Sequence, residues 1–146
     1  MKTSNRPSKF IPALTLIFGL LFTGSCKKDA GPIIVPPPNA PDISFSTAIQ
    51  PILTANCATG GCHDALPAPA SLDLSPGVSY ANLVNVDAVN YSGTMRVKPF
   101  DTDSSVLYHK IFDTGVYGGL MPPAGALGAT DLDLIKKWID QGAQNN

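Results

Sequence analysis

The chain has 146 residues and a formal charge of −1, enough for one ordinary domain. Only 14% of its residues are charged and 44% are apolar, which excludes a polyelectrolyte-like disordered chain, and the lack of any long basic run argues against nucleic acid as a partner. Thirteen Gly and fourteen Pro foretell long loops, and three Cys and two His are the side chains left for special chemistry.

The first predicted element is a targeting segment. Lys2, Arg6 and Lys9 precede an apolar run from Phe10 to Phe22, broken only by Pro12, Thr15 and Gly19. A run of this length suits the core of a signal peptide and falls short of the ~20 residues a spanning helix needs. Small residues, Thr23-Gly24-Ser25, then lead to Cys26. This stretch resembles a bacterial lipoprotein signal, departing from it where Thr23 stands in place of the usual Leu. The resemblance implies that residues 1–25 are a signal peptide, that the Cys26 thiol carries the lipid, and that the protein is exported and anchored to a membrane, facing the periplasm or the cell surface. An ordinary secretory signal, or an uncleaved short anchor, with an incidental Cys is the other reading of the same residues.

Residues 26–41 read as a lipidated Cys followed by a stalk. Ala30 to Pro41 carries five prolines in twelve residues. Proline fixes φ and removes amide donors, so the segment favours extended polyproline II with a reach of ~40–50 Å at ~3.1 Å per residue. Without residues 1–25 the chain keeps seven basic residues against eleven carboxylates, all of them Asp.

Residues 42–146 form the folded domain, with no internal repeat. Ser44 to Asn56 places Phe45, Ile49, Ile52 and Leu53 at helical spacing, with Pro51 predicting a start or a kink. Ser79 to Val84 is a short, weaker helix. Asp103 to Phe112 predicts a helix capped by Asp103 and lined by Leu107, Tyr108, Ile111 and Phe112. The clearest helix follows Thr130 as cap, with Asp131 and Asp133 at the positive end of the dipole, Leu132, Ile135, Trp138 and Ile139 as the apolar stripe, and Gly142 as the stop. No segment alternates long enough for a strand. The expected fold is therefore mostly α, small and helical with long loops. The loops Pro67–Gly77 and Asp87–Asp103 are expected to bury little, so so small a core needs another source of cohesion.

The segment that carries chemistry is Cys57-Ala58-Thr59-Gly60-Gly61-Cys62-His63. Two cysteines closed by a Cys-His pair are the pattern of covalent haem attachment, in which two thiols add across the porphyrin vinyl groups and the adjacent imidazole ligates iron. The usual spacing has two residues between the cysteines and this chain has four, so the extra residues must loop out, and Gly60-Gly61 supplies the backbone freedom. Leu120-Met121-Pro122-Pro123 lies just before the final helix. A thioether is a sixth ligand for a His-bound haem iron, and the prolines behind Met121 stiffen its loop. His109 and Met95 are two other candidates for that sixth position, and His109 reads more simply as a surface or core-edge residue. A backbone carbonyl just after the motif, at Leu66 or Pro67, is the expected partner of the His63 ring N–H.

In this order of features, residues 42–146 resemble a monohaem class-I-type cytochrome c domain, particularly its bacterial lipoprotein members. The resemblance rests on Ile49-Gln50-Pro51-Ile52-Leu53-Thr54-Ala55-Asn56-Cys57, on Leu120-Met121-Pro122-Pro123 and on Trp138-Ile139-Asp140-Gln141-Gly142-Ala143. It implies a cytochrome c-like helical domain around one covalent haem c, with thioether bonds at Cys57 and Cys62, His63 as the proximal iron ligand and Met121 as the distal one. It also implies that the first helix packs on the last, with Phe45, Ile49 and Trp138 near the crossing. The function it implies is one-electron transfer between redox partner proteins, from a membrane tether. No Ser/His/Asp order, phosphate loop or pair of catalytic carboxylates suggests an enzyme. Two other readings of the cysteines stay open. One is a structural metal site using Cys57, Cys62, His63 and a fourth ligand such as His109. The other is a plain Cys57–Cys62 disulfide in a non-redox exported binding lipoprotein.

Overall fold

In the computed structural model, which describes residues 41–65 and 67–146, the helical part of the chain opens at Ser44. The Ser44 hydroxyl accepts the Thr47 N–H at 3.3 Å, and the chain enters through a π-helical turn, Phe45–Ile49, that runs directly into α1 (Gln50–Asn56). Pro51 explains the change of winding. It has no N–H to donate and its ring crowds the carbonyl four residues back, so it sits in the first turn of α1 behind the wider π turn. The expected kink is thus a change of helix type. The signal segment, Cys26 and the stalk lie outside the described residues, as does Leu66.

Three further helices follow: α2 (Ser79–Leu83), α3 (Val106–Ile111) and α4 (Ala129–Asp140). Among the described residues no strand forms beyond isolated bridges, so the domain is mostly α. Two caps differ from expectation. Thr130 lies inside the first turn of α4, because Gly128, in extended backbone, occupies the cap position without a side-chain bond. Asp103 lies outside α3, whose cap position falls to Ser105. The Ser105 hydroxyl instead donates to the Asp101 carbonyl at 2.7 Å, tying down the turn before the helix. The C-terminus of α4 ends as the sequence foretold. Gly142 takes φ +101°, its N–H reaches the Ile139 carbonyl, and the Ala143 N–H reaches Trp138, the paired bonds of a Schellman stop.

The core joins the first and last helical segments of the described residues. Phe45 from the π turn meets Trp138 of α4 with ring centroids 5.3 Å apart, and Tyr80 of α2 edge-on at 5.2 Å. Ile49, Leu53, Leu83, Ile135 and Ile139 are buried around them. Trp138 is held further by its indole N–H, which donates to the Gln144 carbonyl at 3.0 Å. Removing an aromatic of this kind from a core costs about 3–5 kcal/mol.

The loop from Asp87 to Asp103 corrects the expectation that it buries little. Val97 is fully buried, and Ala88, Arg96 and Thr102 are buried beside it. Single bridges hold this segment where strands would otherwise do so: Val84 with Val97, Asp87 with Met95, and Met95 with Ser105. Its apolar residues are too far apart to show periodicity, yet each bridge returns the chain to the core. Leu74 and Ala68 do the same for the segment before α2.

Candidate functional site

The turn after α1 places the first sulfur. The Cys57 and Ala58 amides both donate to the Leu53 carbonyl, ending the helix, and the Cys57 side chain is half-buried against the core. Thr59 to Cys62 then closes on itself, the Cys62 N–H donating to the Thr59 carbonyl at 2.8 Å. Gly61 occupies the third position of this turn at φ +80°, a conformation that L side chains resist. Gly60 and Gly61 are exposed, with nothing within 4 Å of where a side chain would begin. The extra residues between the cysteines do loop out. Past them the His63 N–H returns to the Cys57 carbonyl at 3.1 Å, so Cys57 and His63 meet across the base of the loop while Cys62 rides, exposed, on its outer part.

His63 is oriented from one side. Its Nδ1 lies 2.8 Å from the Leu72 carbonyl, which can only accept, so Nδ1 is the donor and, in the neutral ring, Nε2 is the nitrogen with the lone pair. The partner is thus Leu72, not the Leu66 or Pro67 carbonyl expected from proximity: the chain turns through residues 67–71 before coming back alongside the ring. The same segment is braced elsewhere. The Leu74 N–H donates to the His63 carbonyl at 2.8 Å, the Leu74 carbonyl accepts from Gln50 at 3.1 Å, and Asn82 of α2 donates to the Asp73 carbonyl at 2.9 Å.

Cys57, His63 and Met121 line one cavity of about 190 Å3. Leu72, Leu74, Leu83, Val106, Leu107 and Ile111 make its walls apolar, and among the lining residues Val89 and Met121, 36% exposed, reach solvent. Met121 is fixed by its main chain, the N–H donating to the Lys110 carbonyl of α3 at 2.9 Å. Of the other proposed ligands, Cys62 lies outside the lining. Met95 does too: its backbone is engaged in bridges to Asp87 and Ser105. His109 also lies outside, its Nε2 donating to the Asp103 carbonyl at 2.8 Å and its Nδ1 paired with the Thr114 hydroxyl at 2.7 Å.

The cavity's charge is one-sided. Arg96 and Lys110 line it, and no described Asp does. Arg96 is only 8% exposed. Its guanidinium donates to the Asn82 carbonyl at 2.8 Å and to the Ala70 carbonyl at 2.9 Å, but among the described residues it has no carboxylate partner. Burial pulls its pKa below the ordinary arginine value, the mark of a cation short of counter-charge. Sequence reasoning missed Arg96. Its signal was weak: an isolated arginine inside a loop expected to be exposed.

The thiol chemistry bears on the alternative readings. Burial first, and the neighbouring Cys62 second, push the Cys57 thiol up to about 11, so Cys57 is a neutral thiol at pH 7 and not a reactive thiolate. Cys57 and Cys62 are both free. Among the described residues no three His, Cys or Asp side chains gather as a metal site would require. No protein-family model, no curated protein and no solved structure matches this chain, so the reading of the site rests on the site itself.

Proposed function

We propose that this chain is a monohaem c-type cytochrome of the class-I type, a carrier of single electrons tethered to a membrane through a lipid on Cys26. The observation that supports it is the convergence of Cys57, His63 and Met121, distant in sequence, on one apolar cavity with a buried arginine and, among the described residues, no carboxylate. The residues fit a porphyrin on two counts. The walls suit an apolar plate, and Arg96, which has no carboxylate partner among the described residues, suits a ligand that brings its own carboxylates.

When bound, the haem supplies a one-electron iron couple. The chain supplies the rest. Cys57, which lines the cavity, would hold one vinyl group, and the exposed turn with its two glycines would let Cys62 hold the second. The bond to Leu72 makes Nδ1 the donor and sets the His63 ring plane, leaving Nε2 as the nitrogen that would ligate iron. Met121 offers a thioether, a soft neutral donor that favours ferrous iron and raises the potential. Leu74, Leu83 and Ile111 exclude water from the inner face, and Arg96 offsets the charge of the carboxylates.

The test is a haem stain after denaturing electrophoresis of protein matured in cells with a c-type assembly system. The reading expects colour that survives denaturation in the wild type and is lost in Cys57→Ala/Cys62→Ala. Exported wild-type protein without haem, carrying a Cys57–Cys62 disulfide by mass spectrometry, would support the non-redox lipoprotein instead.

A further inference from the structure

The loop that carries Met121 is tied to the rest of the molecule unevenly. It leaves α3 after Ile111 and runs through Gly115, Gly118 and Gly119 to Met121, with Val116 60% exposed at its tip. Most of its ties are local. The Thr114 N–H returns to the His109 carbonyl at 3.2 Å, the Thr114 hydroxyl pairs with the His109 ring, the Lys110 ammonium lies 3.5 Å from the Gly119 carbonyl, and the Met121 N–H bonds the Lys110 carbonyl. All of these partners belong to α3, the helix the loop has just left.

One tie differs. The Tyr91 hydroxyl donates to the Tyr117 carbonyl, and the two rings pack with centroids 4.9 Å apart. Tyr91 lines the same cavity as Met121, together with its neighbours Val89 and Asn90. It is firmly mounted there: its N–H donates to the Ala88 carbonyl at 3.0 Å, and its own carbonyl accepts from both the Thr94 N–H and hydroxyl. The Lys110 ammonium sits 5.5 Å from the centre of the same ring, adding a cation to the contact. Tyr91 therefore pins the glycine-rich loop from a segment other than α3.

Resting on the haem reading above, we propose that Tyr91 is a positioning residue that clasps the Met121 loop to the segment before Thr94 and so sets how readily the thioether leaves iron. With the clasp made, Met121 is held from two sides. Without it the loop hangs from α3 alone, and its glycines let the sulfur swing away.

The test is carbon monoxide binding to the reduced, fully matured protein by flow mixing, since the incoming ligand must wait for the sulfur to leave. Tyr91→Phe keeps the ring and loses the hydroxyl. Binding should accelerate roughly fivefold, the population change produced by one net hydrogen bond of about 1 kcal/mol. Tyr80→Phe is the control. It deletes a comparable bond, from the Tyr80 hydroxyl to the Ala143 carbonyl at 2.9 Å, in the core away from the loop. It should lower thermal stability without altering the carbon monoxide rate. Equal rates in wild type and Tyr91→Phe, or equal acceleration in both variants, would overturn the clasp. If the wild type shows the sulfur-to-iron band and only the kinetic prediction fails, the haem reading stands and the clasp alone falls. A wild type with no such band would overturn Met121 ligation, and the clasp with it.

Discussion

The two sides of the cavity are built differently. On the His63 side the chain is bonded into the core at every step: His63 to Cys57 and Leu72, Leu74 back to His63, Gln50 and Asn82 onto the segment between. Leu74 and Leu83 stand fully buried behind it. On the Met121 side a glycine-rich loop with an exposed tip is held by its own preceding helix and one tyrosine. The contrast teaches that the position of His63 follows from folding itself, whereas the position of Met121 is a separate, weaker equilibrium. Local stability is commonly uneven in this way, with ligand-handling loops drawn from the less stable end.

The largest expected break in that comparison is Leu74→Ala. It removes a buried side chain from the rigid wall and should cost about 2–5 kcal/mol, read as a shift in denaturant midpoint. Arg96→Met should follow at about 1–3 kcal/mol, because the carbonyls of Ala70 and Asn82 lose their donor inside the protein. The same variant should lower the reduction potential, since a cation near the iron disfavours the ferric charge. An unchanged potential in a folded Arg96→Met holoprotein would place the guanidinium away from the cofactor. Gly142→Ala tests the end of α4. An alanine Cβ there would meet the Phe100 ring at 2.3 Å, but that ring is 74% exposed and can swing aside, so the cost is that of a left-handed backbone, about 1–2 kcal/mol. Val116→Ser, at an exposed position of the Met121 loop, should change global stability by less than about 0.5 kcal/mol.

A further small effect is pH-dependent. The Lys98 ammonium at 2.7 Å and the Ser104 N–H at 2.9 Å hold Asp101 below the usual carboxylate range. A carboxyl whose pKa is depressed on folding stabilises the native state above its unfolded pKa, and that contribution is lost as pH falls through the folded value. Asp101→Asn should therefore be destabilised by about 0.2–1 kcal/mol at pH 7, and the gap to wild type should close under acid. A gap that persists or widens below the carboxylate range would contradict this account of the turn.

The rigid side was the more legible in the sequence. The stripe of Leu132, Ile135, Trp138 and Ile139 marked α4, and Phe45 and Ile49 marked its partner, because both faces repeat at helical spacing. The turn at Gly60-Gly61 was legible because four residues between two cysteines have to go somewhere and glycine permits it. The Leu72 partner of His63 was not legible: it lies nine residues on, and nothing local records that the chain doubles back. Arg96 and Val97 were hidden for a related reason. They are buried by single bridges, which leave no period. The cap at Gly128 was missed because Thr130 is the better capping residue by type, and backbone geometry chose the glycine.

The most direct test of the account is the red absorption of the oxidised, matured protein and its variants. The account predicts one covalent haem showing the sulfur-to-iron charge-transfer band, lost in Met121→Ala together with a gain of cyanide binding, and kept in Met95→Ala and His109→Ala. A band that depends on Met95, a bis-histidine spectrum that depends on His109, or a matured protein with no haem absorption would contradict it.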